Sequence, residues 1–362
     1  MIAGKKILVG VLNWGLGHAS RSACLIKQLD LLKAEIVIAS DGAALEFLRR
    51  EFPDKDSLRL PNPRVHYDSA LGLQWSIFAQ LPKLMKVYRE ERSALDGYLR
   101  DHQVDLIISD NRYGLYSTLV PSVLLTHQLN LQSRLGTAVL AKVMRSLVGH
   151  FDQLWVPDEQ AVGLSGVLSS LRGISRPIKY IGVLSHFGLL GSEAKRAQYD
   201  KKDRYLAILS GPEPARSKFE KRLVHLAKIQ KIPLSLVQGS HSAALHNQEE
   251  LIQCIPLANT QELYTLIQTH KGIVCRSAYS SIMDLSYLGK QALMVPTPGQ
   301  SEQEYLAKLH HAAKHFYTVL EKEIDLKRDL QRAFTAEFRP PSPKLDLSEQ
   351  RELIKKYIQE LI

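Results

Sequence analysis

Residues 7–18 read ILVGVLNWGLGH, an apolar run that stops in a loop with two glycines. A second stretch of similar design, YLAILSGPEP, occupies residues 205–214. A strand that ends in a glycine turn and continues as a helix brings backbone N–H groups and a helix N-terminus to one point, which suits an anionic ligand. Two such stretches in one chain predict two similar α/β domains that face each other across a cleft.

The length of the chain agrees with two domains. At 362 residues it exceeds the size at which a single core keeps growing. We place a first Rossmann-like domain at residues 1–184 and a second at residues 204–343, with the polar segment 184–203 as linker. A last amphipathic helix follows a proline-rich break, lies within residues 344–362 and is expected to pack back on the first domain.

Short apolar runs alternate with amphipathic stretches, which is typical of parallel sheets covered by helices. In the first half we predict strands at residues 6–12, 35–40, 105–110, 122–126 and 153–157, and helices at 20–32, 43–51 and 81–99. In the second half we predict strands at 205–209, 234–238, 254–257, 272–275 and 292–295, and helices at 215–230, 261–268, 281–288, 301–314 and 347–361.

Composition excludes several classes of protein. With 45% hydrophobic and 23% charged residues, the chain is neither disordered nor a membrane bundle. It holds no run approaching the ~20 apolar residues of a membrane-spanning helix, and its first apolar run is too short for a signal peptide, so we expect a cytoplasmic protein. The net charge of +10 favours anionic partners such as nucleotide diphosphates or acidic lipid surfaces. Because no arginine-rich block with interleaved aromatics occurs, we expect no nucleic-acid partner.

Metal ligation has little support. Cys24, Cys254 and Cys275 are widely spaced, which fits reduced, buried thiols rather than disulfides or a zinc site. His311 and His315 can share one helix face, but without a nearby acidic ligand a solvated face is the better interpretation. We therefore expect no metal.

Several short motifs follow one another along the chain in an order that indicates a family resemblance. After the first glycine loop come VLLTHQLN at residues 123–130 and YIGVL at 180–184; the second half carries CRSAYSSIMD at 275–284, LMVP at 293–296 and SEQEY at 301–305. This order resembles that of the GT-B glycosyltransferases, and within them the peptidoglycan N-acetylglucosaminyltransferases that form lipid II. The resemblance covers nearly the whole chain and is most specific in the second half. It implies two Rossmann-like domains, a UDP-sugar as co-substrate with no cofactor, and inversion by direct displacement.

The second half is expected to hold the donor. Ser280 and Ser281, after Tyr279, lie where a strand passes into a helix, so their hydroxyls and the helix N-terminus can hold a diphosphate without a metal. The resemblance assigns Asp284 to the ribose hydroxyls. The alternative is that Ser281 and Asp284 form a capping box.

The predicted donor site also includes Gln303, Glu304, Ser210 and Gly211, together with the backbone of Leu257 and Ala258. In the resembled family two glutamines grip the donor sugar; Gln303 matches and Glu304 departs, and residues 301–304 can also be a capping box. Ser210 and Gly211 stand where the family contacts the phosphates, while Pro212 and Glu213 replace small residues there. Uracil recognition in such folds comes from backbone near a strand end, here about Leu257 and Ala258.

The first half is expected to hold the acceptor. Gly15 and Gly17 let the first loop approach a bound donor closely, and His18 is the candidate base because imidazole titrates near neutral pH. Equally, His18 can cap the following helix or orient a phosphate. Asp110, at a strand end, is the alternative base. His127 and Asn130 are expected to shape the cleft.

Two amphipathic segments, residues 71–88 and 131–151, combine apolar and basic side chains. Such a surface can rest on anionic lipid and bring the enzyme to a lipid-linked acceptor on the inner face of the membrane, or it can simply face the core.

The resulting prediction is a glycosyltransferase that moves a hexosyl group, with N-acetylglucosamine as candidate, from a UDP-sugar to a hydroxyl of a glycan or lipid-linked acceptor. The alternatives are a nucleotide-sugar epimerase or hydrolase on the same fold, and a non-catalytic nucleotide-sugar binding protein.

Overall fold

A computed structural model describes residues 2–61, 73–130, 137–159, 163–170, 173–190, 199–239 and 250–362, without the side chains of residues 73–82 and 137–141. The chain divides into two compact units. Unit 1 comprises Met1–Ser185 and Pro343–Ile362, and unit 2 comprises His186–Ser342. The C-terminal segment thus belongs to the same unit as the N-terminus.

Unit 1 is built on a parallel sheet in the order β3-β2-β1-β4-β5-β6-β7. Its strands are β1 Lys6–Val11, β2 Glu35–Ser40, β3 Asp56–Arg59, β4 Leu106–Asp110, β5 Ser122–Leu125, β6 Gln153–Val156 and β7 Ile178–Tyr180. Its helices are α1 Leu16–Leu31, α2 Gly42–Glu51, α3 Leu73–Asp101, α4 Thr137–Val148 and the C-terminal α10 Leu347–Gln359. The residues of β1 and β4 are almost all fully buried, as expected for central strands covered on both faces.

Unit 2 repeats the scheme with the order β10-β9-β8-β11-β12-β13, again all parallel. Its strands are β8 Lys202–Ile208, β9 Leu234–Val237, β10 Ile252–Ile255, β11 His270–Cys275, β12 Ala292–Met294 and β13 Tyr317–Thr318. Its helices are α5 Ala215–Ile229, α6 Thr260–Thr269, α7 Tyr279–Leu288, α8 Ser301–Ala312 and α9 Leu326–Ala333. The predicted doubly wound α/β fold is therefore confirmed in both halves.

Each sheet has one point where the strand order reverses direction. The reversal lies between β1 and β4 in unit 1 and between β8 and β11 in unit 2. The register pairs Val11 with Asp110 at the first point and Ile208 with Cys275 at the second. In open parallel sheets, ligands bind outside the carboxyl ends of the strands at this point. Both glycine-bearing loops leave the sheet there.

The central strands lie within a few residues of the predicted bounds, but some elements differ. The first helix begins at Leu16 rather than residue 20, so Gly17 and His18 belong to its first turn. The sequence pattern does not predict the short edge strands β3, β7 and β13, because two to four partly exposed residues carry little periodicity. Helix α9, with eight residues, is also absent from the prediction. The segment taken as linker contains a 3₁₀ turn, His186–Leu189, that belongs to unit 2; residues 191–198 lie outside the described residues.

Helix α10 is anchored to unit 1 by specific contacts. The Gln350 amide donates to the carbonyls of Ile181 at 2.9 Å and Val183 at 3.0 Å, and Arg351 Nε donates to Gln28 Oε1 at 2.9 Å. Ile354 and Ile358 are fully buried. None of the helices in the described part of the chain is long and apolar enough to cross a membrane.

Candidate active site

The carboxyl edge of the unit 1 sheet carries a buried cluster of charges around Asp110. Asp110 is the last residue of β4 and has no solvent exposure. Since Val11 is its strand partner, helix α1 starts directly beside it. Three residues of that helix reach its carboxylate: His18 Nδ1 lies 2.9 Å from Oδ1, Arg21 Nε donates to Oδ2 at 2.9 Å, and Ser22 Oγ donates to Oδ2 at 2.7 Å.

This arrangement changes how His18 and Asp110 are interpreted. The sequence left them as alternative bases, whereas the structure brings them into contact. Burial alone would raise the pKa of Asp110, but Arg21 and His18 hold it well below its usual range. Burial lowers the pKa of His18, and the charge of Arg21 lowers it further. Asp110 is therefore an anion that orients its neighbours, and His18 is neutral near pH 7.

Arg21 links the two histidines of the cluster. Its Nη1 lies 2.9 Å from His127 Nδ1, and its Nη2 lies 2.9 Å from His18 Nδ1. A guanidinium only donates, so His127 accepts at Nδ1 and carries its proton on Nε2. For His18, Nδ1 can donate to Asp110 and leave Nε2 free as an acceptor, or accept from Arg21 and carry the proton on Nε2. Only the first tautomer makes His18 a base.

Of the other predicted acceptor-side residues, some join the cluster around Asp110 and others do not. His127 is buried and joins the cluster through Arg21. Asn130 does not join it: its side-chain amide donates to the Val167 carbonyl at 3.4 Å. Gly15 precedes α1 with φ of 73°, a conformation that favours glycine, whereas Gly17 is helical.

A second buried network, centred on Arg112, stabilises the start of the first glycine-bearing loop. Arg112 is fully buried and forms ion pairs with Asp41 and, at 2.8 Å, with Glu91; its Nε donates to the Val11 carbonyl at 2.8 Å. Asp41 in turn accepts from Asn13 Nδ2 at 3.0 Å. Asp110 and Arg112, two positions apart in the chain, thus serve two networks, one at the site and one that holds residues 11–13 in place.

In unit 2, helix α7 begins at the carboxyl end of β11. Its N-cap is Ala278, whose side chain makes no capping hydrogen bond, so Ser280 and Ser281 lie in a first turn with N–H groups available to an anion. Both serines are partly exposed. Tyr279 is 2% exposed, so its side chain belongs to the core and only its backbone can face a ligand.

Asp284 does not form the alternative capping box with Ser281. Its Oδ2 lies 3.0 Å from Nδ1 of His186. His186 belongs to the 3₁₀ turn His186–Leu189 and contacts Phe187, with ring centroids 4.0 Å apart and the ring planes tilted by 35°. Asp284 retains a side-chain exposure of 16%, so the neighbouring histidine does not cover its carboxylate. The sequence carried no signal for His186, which is almost 100 residues away in the chain.

The side chains of Gln303 and Glu304 are engaged with the loop before α8. Gln303 is 5% exposed and its Oε1 accepts from the Thr297 N–H at 2.8 Å. Glu304 Oε1 accepts from the Gly299 N–H at 2.9 Å. The proposed capping box of residues 301–304 is wrong, because the N-cap is Gln300 and its side chain makes no capping bond. Both side chains instead shape the loop at residues 297–300.

The Ser210 loop is exposed, including Ser210 and Gly211. The negative charge of Glu213 is offset by neighbouring groups. Its carboxylate pairs with Arg216 and accepts from Ser217 Oγ at 2.9 Å. Buried Arg276 connects this region to the neighbouring loops, since it donates to the Ala215 carbonyl at 3.3 Å and the Pro296 carbonyl at 3.2 Å. Arg276 is therefore a positioning residue that the sequence analysis missed.

Leu257 and Ala258 lie half-buried in the loop after β10. That loop ends at Asn259, which forms a complete capping box with Glu262 at the start of α6. The backbone near Leu257 thus has a defined conformation at the carboxyl edge of the sheet.

Other predicted features lie outside these clusters. Among the described residues there is no group of three or more histidine, cysteine, aspartate or glutamate side chains arranged to hold a metal. His311 Nδ1 accepts from the Thr318 N–H at 3.1 Å, while His315 contacts His310 with 3.0 Å between Nδ1 atoms, so His311 and His315 do not act together. All three cysteines are buried. Much of the two amphipathic segments, namely the side chains of residues 71–82 and 131–141, lies outside the described residues.

Comparisons with known proteins bear directly on this architecture. Residues 230–361 match the model of the glycosyltransferase family 28 C-terminal domain. The glycosyltransferase of kitacinnamycin has a similar structure, with a TM-score of 0.64 and 13% identity over 98% of this chain and 96% of that one. The chain has the two-domain fold of the GT-B glycosyltransferases.

Two further solved structures resemble this chain over nearly its whole length. SnogD from Streptomyces nogalater has a TM-score of 0.62 and 13% identity over 99% of this chain and 96% of that one. MurG from Acinetobacter baumannii has a TM-score of 0.56 and 12% identity over 99% of each chain. At such identities the likeness shows the fold alone. No curated protein gave a significant match.

Proposed function

We propose that this protein is a glycosyltransferase that moves a hexosyl group from a UDP-sugar to a hydroxyl of a glycan or lipid-linked acceptor, with inversion and without a metal. N-acetylglucosamine is the candidate sugar, because the motifs resemble those of the lipid II-forming family. The proposal assigns the acceptor hydroxyl to unit 1 and the nucleotide sugar to unit 2. We further propose that the enzyme works in the cytoplasm, in peripheral contact with an anionic membrane surface.

The observation that carries the proposal is the contact between His18 and Asp110. A neutral histidine whose Nδ1–H is held by a buried carboxylate offers a lone pair at Nε2. Its lowered pKa keeps it unprotonated at neutral pH, and Asp110 stabilises the imidazolium that forms when it accepts a proton. The side chain of His18 is 15% exposed, so a substrate can reach it.

The chemical step is a single displacement. The acceptor hydroxyl gives its proton to His18 Nε2 while its oxygen attacks the anomeric carbon of the donor. The bond between that carbon and the diphosphate oxygen breaks, and UDP leaves with the electron pair. Because the nucleophile enters opposite the leaving group, the configuration at the anomeric carbon inverts.

The donor half rests on the N-terminus of α7 and on Asp284. The uncapped first turn of α7 directs N–H groups and the positive end of the helix dipole toward a diphosphate, which becomes more negative as the bond breaks. Such fixed dipoles can take the role that a divalent cation has in other transferases. Asp284, whose carboxylate lies beside His186, is assigned to the ribose hydroxyls.

The first experiment tests donor binding by unit 2 and proton transfer by His18 separately. We expect calorimetry to detect UDP and UDP-N-acetylglucosamine binding to the wild type. Asp284→Ala should weaken UDP binding about 10-fold or more, because hydrogen bonds to a charged group are lost. His18→Ala should leave UDP binding intact and lower kcat by about 10²–10⁴-fold. Activity should survive chelation by EDTA.

Matched controls are available in the same units. His102→Ala removes an exposed histidine of unit 1, and Glu323→Ala removes an acid of unit 2 whose side chain is 57% exposed. Both should resemble the wild type. Absence of UDP binding to the wild type would make the donor assignment wrong. Free sugar or an epimer formed without acceptor would favour the hydrolase or epimerase alternative, and UDP binding with no turnover would favour a binding protein.

A further inference from the structure

Unit 2 has a concave feature at the amino-terminal edge of its sheet, opposite the edge to which the donor is assigned. A cavity of about 470 Å³ lies where β8, β11 and β12 begin. Its lining includes residues at these strand starts, such as Lys201, Lys271 and Lys290, and residues of the segment 334–342 that follows α9. β11 has six residues, so the cavity lies roughly 20 Å from the carboxyl edge to which the donor is assigned.

The cavity is strongly basic. Lys201, Lys271, Lys290 and Arg339 line it, and no carboxylate does so among the described residues. Lys271 is paired at the rim with Asp203 at 2.8 Å, and Lys201 donates to the Gln268 carbonyl at 2.6 Å. For Lys290 the described part of the chain provides no ion pair. Burial lowers the pKa of Lys290, and the nearby charge of Lys201 lowers it further.

The walls between these cations are aromatic and rigid. Phe334 and Phe338 line the cavity together with Pro340. Phe334 packs so closely on β11 that a Cβ on Gly272 would lie 2.3 Å from its ring, so only glycine fits at that position. The Gln291 amide ties the segment to the sheet by donating to the Thr335 carbonyl at 2.6 Å. The cations are therefore presented on a fixed frame rather than on a loose surface.

Clustered like charges repel each other, and the partial burial of Lys290 removes water that would screen its charge. An anion that enters between them offsets both costs. Several cations around one cavity suit a group with more than one negative charge, and the aromatic walls suit an attached organic part. We propose that this basic cavity binds the phosphate group of a ligand distinct from the donor, either a soluble phosphate compound or a phospholipid headgroup.

Pyrophosphate is the probe for this site, with hydrogen–deuterium exchange measured by mass spectrometry. We expect pyrophosphate to slow exchange in peptides covering residues 270–273 and 334–342. Because the nucleotide site also attracts a diphosphate, peptides covering residues 279–284 report that site separately. Failure of the donor assignment would appear only in the second set, so the two proposals can fail independently.

The test variant is Lys290→Gln with Arg339→Gln, and the charge-matched control is Lys322→Gln with Arg332→Gln. Both control residues belong to unit 2 and neither lines the cavity. Removing two charges from the cavity should weaken pyrophosphate protection of residues 270–273 and 334–342 about 10-fold, while the control should keep it.

Vesicle sedimentation distinguishes the sources of the phosphate. If phosphatidylglycerol vesicles retain the control but not the test variant, and phosphatidylcholine vesicles retain neither, the ligand is a phospholipid headgroup. If only pyrophosphate protection depends on Lys290 and Arg339, the ligand is a soluble phosphate. If pyrophosphate leaves the cavity peptides unchanged and the two variants sediment alike, the proposal is wrong.

Discussion

The nitrogen Nδ1 of His18 lies 2.9 Å from two groups of opposite character, the carboxylate of Asp110 and the guanidinium of Arg21. The carboxylate favours a proton on Nδ1, whereas the guanidinium disfavours a positive charge on the ring. The combination yields a neutral histidine with a defined orientation, which is what a base for a sugar hydroxyl requires.

The pH dependence of the reaction should report this balance. Loss of activity at acid pH follows protonation of His18; because burial and Arg21 lower its pKa, the midpoint of the acid limb of kcat/KM should lie below pH 6.5, the ordinary value of a histidine. Arg21→Gln removes one cause of the lowered pKa, so the acid limb should move to higher pH. The measurement is kcat/KM against pH for both proteins. An acid limb with its midpoint above pH 6.5 in the wild type would argue against His18 as the base.

Asp110 should also matter for stability. It is fully buried between Arg21, His18 and Ser22, so Asp110→Asn leaves the Arg21 charge without its anion. Breaking a buried ion pair from one side costs about 3–5 kcal/mol of unfolding free energy. Ser22→Ala removes one hydrogen bond to the same carboxylate and should cost only about 1 kcal/mol. Urea denaturation measures both; equal losses would mean that the ion pair is not the dominant contact.

At the scale of elements, helix α10 is the clearest test. Its Ile358 is fully buried in unit 1, although the helix lies at the other end of the chain. Ile358→Ala should lower the unfolding free energy by about 2–5 kcal/mol through lost burial and the cavity left behind. Lys355→Ala, on the solvent side of the same helix, should change it by about 0.5 kcal/mol or less. Similar values for the two variants would show that the helix does not contribute to the core.

The elements also show where sequence patterns lose information. The predicted central strands lie close to their observed bounds because continuous apolar runs mark strands buried on both faces. The edge strand β3 has only half-buried or exposed residues, so its pattern resembles that of a loop. The start of α1 was placed four residues late because Leu16 and Gly17 have no capping residue before them; the N-cap is Gly15 without a side-chain bond.

At the scale of the whole molecule, both units place their chemistry-bearing residues at the reversal of strand order. The two glycine-bearing loops share a position in the fold but differ in content. The first leads into the helix that carries His18, Arg21 and Ser22. The second leads into α5, where the carboxylate of Glu213 pairs with Arg216 and accepts from the backbone N–H of Ser217 in the first turn of the helix. This difference supports the proposal that the two units have separate tasks.

The sequence alone determined the class of fold, the positions of the central strands and the helix that returns to unit 1. Hydrophobic periodicity and glycine turns are local properties, so they can be recognised from the sequence. Only the tertiary structure decided which side chains meet. His18 and Asp110 are 92 residues apart, and Arg21 and His127 are 106 apart. They come together because the parallel register sets Val11 beside Asp110, and that pairing depends on the packing of the entire sheet.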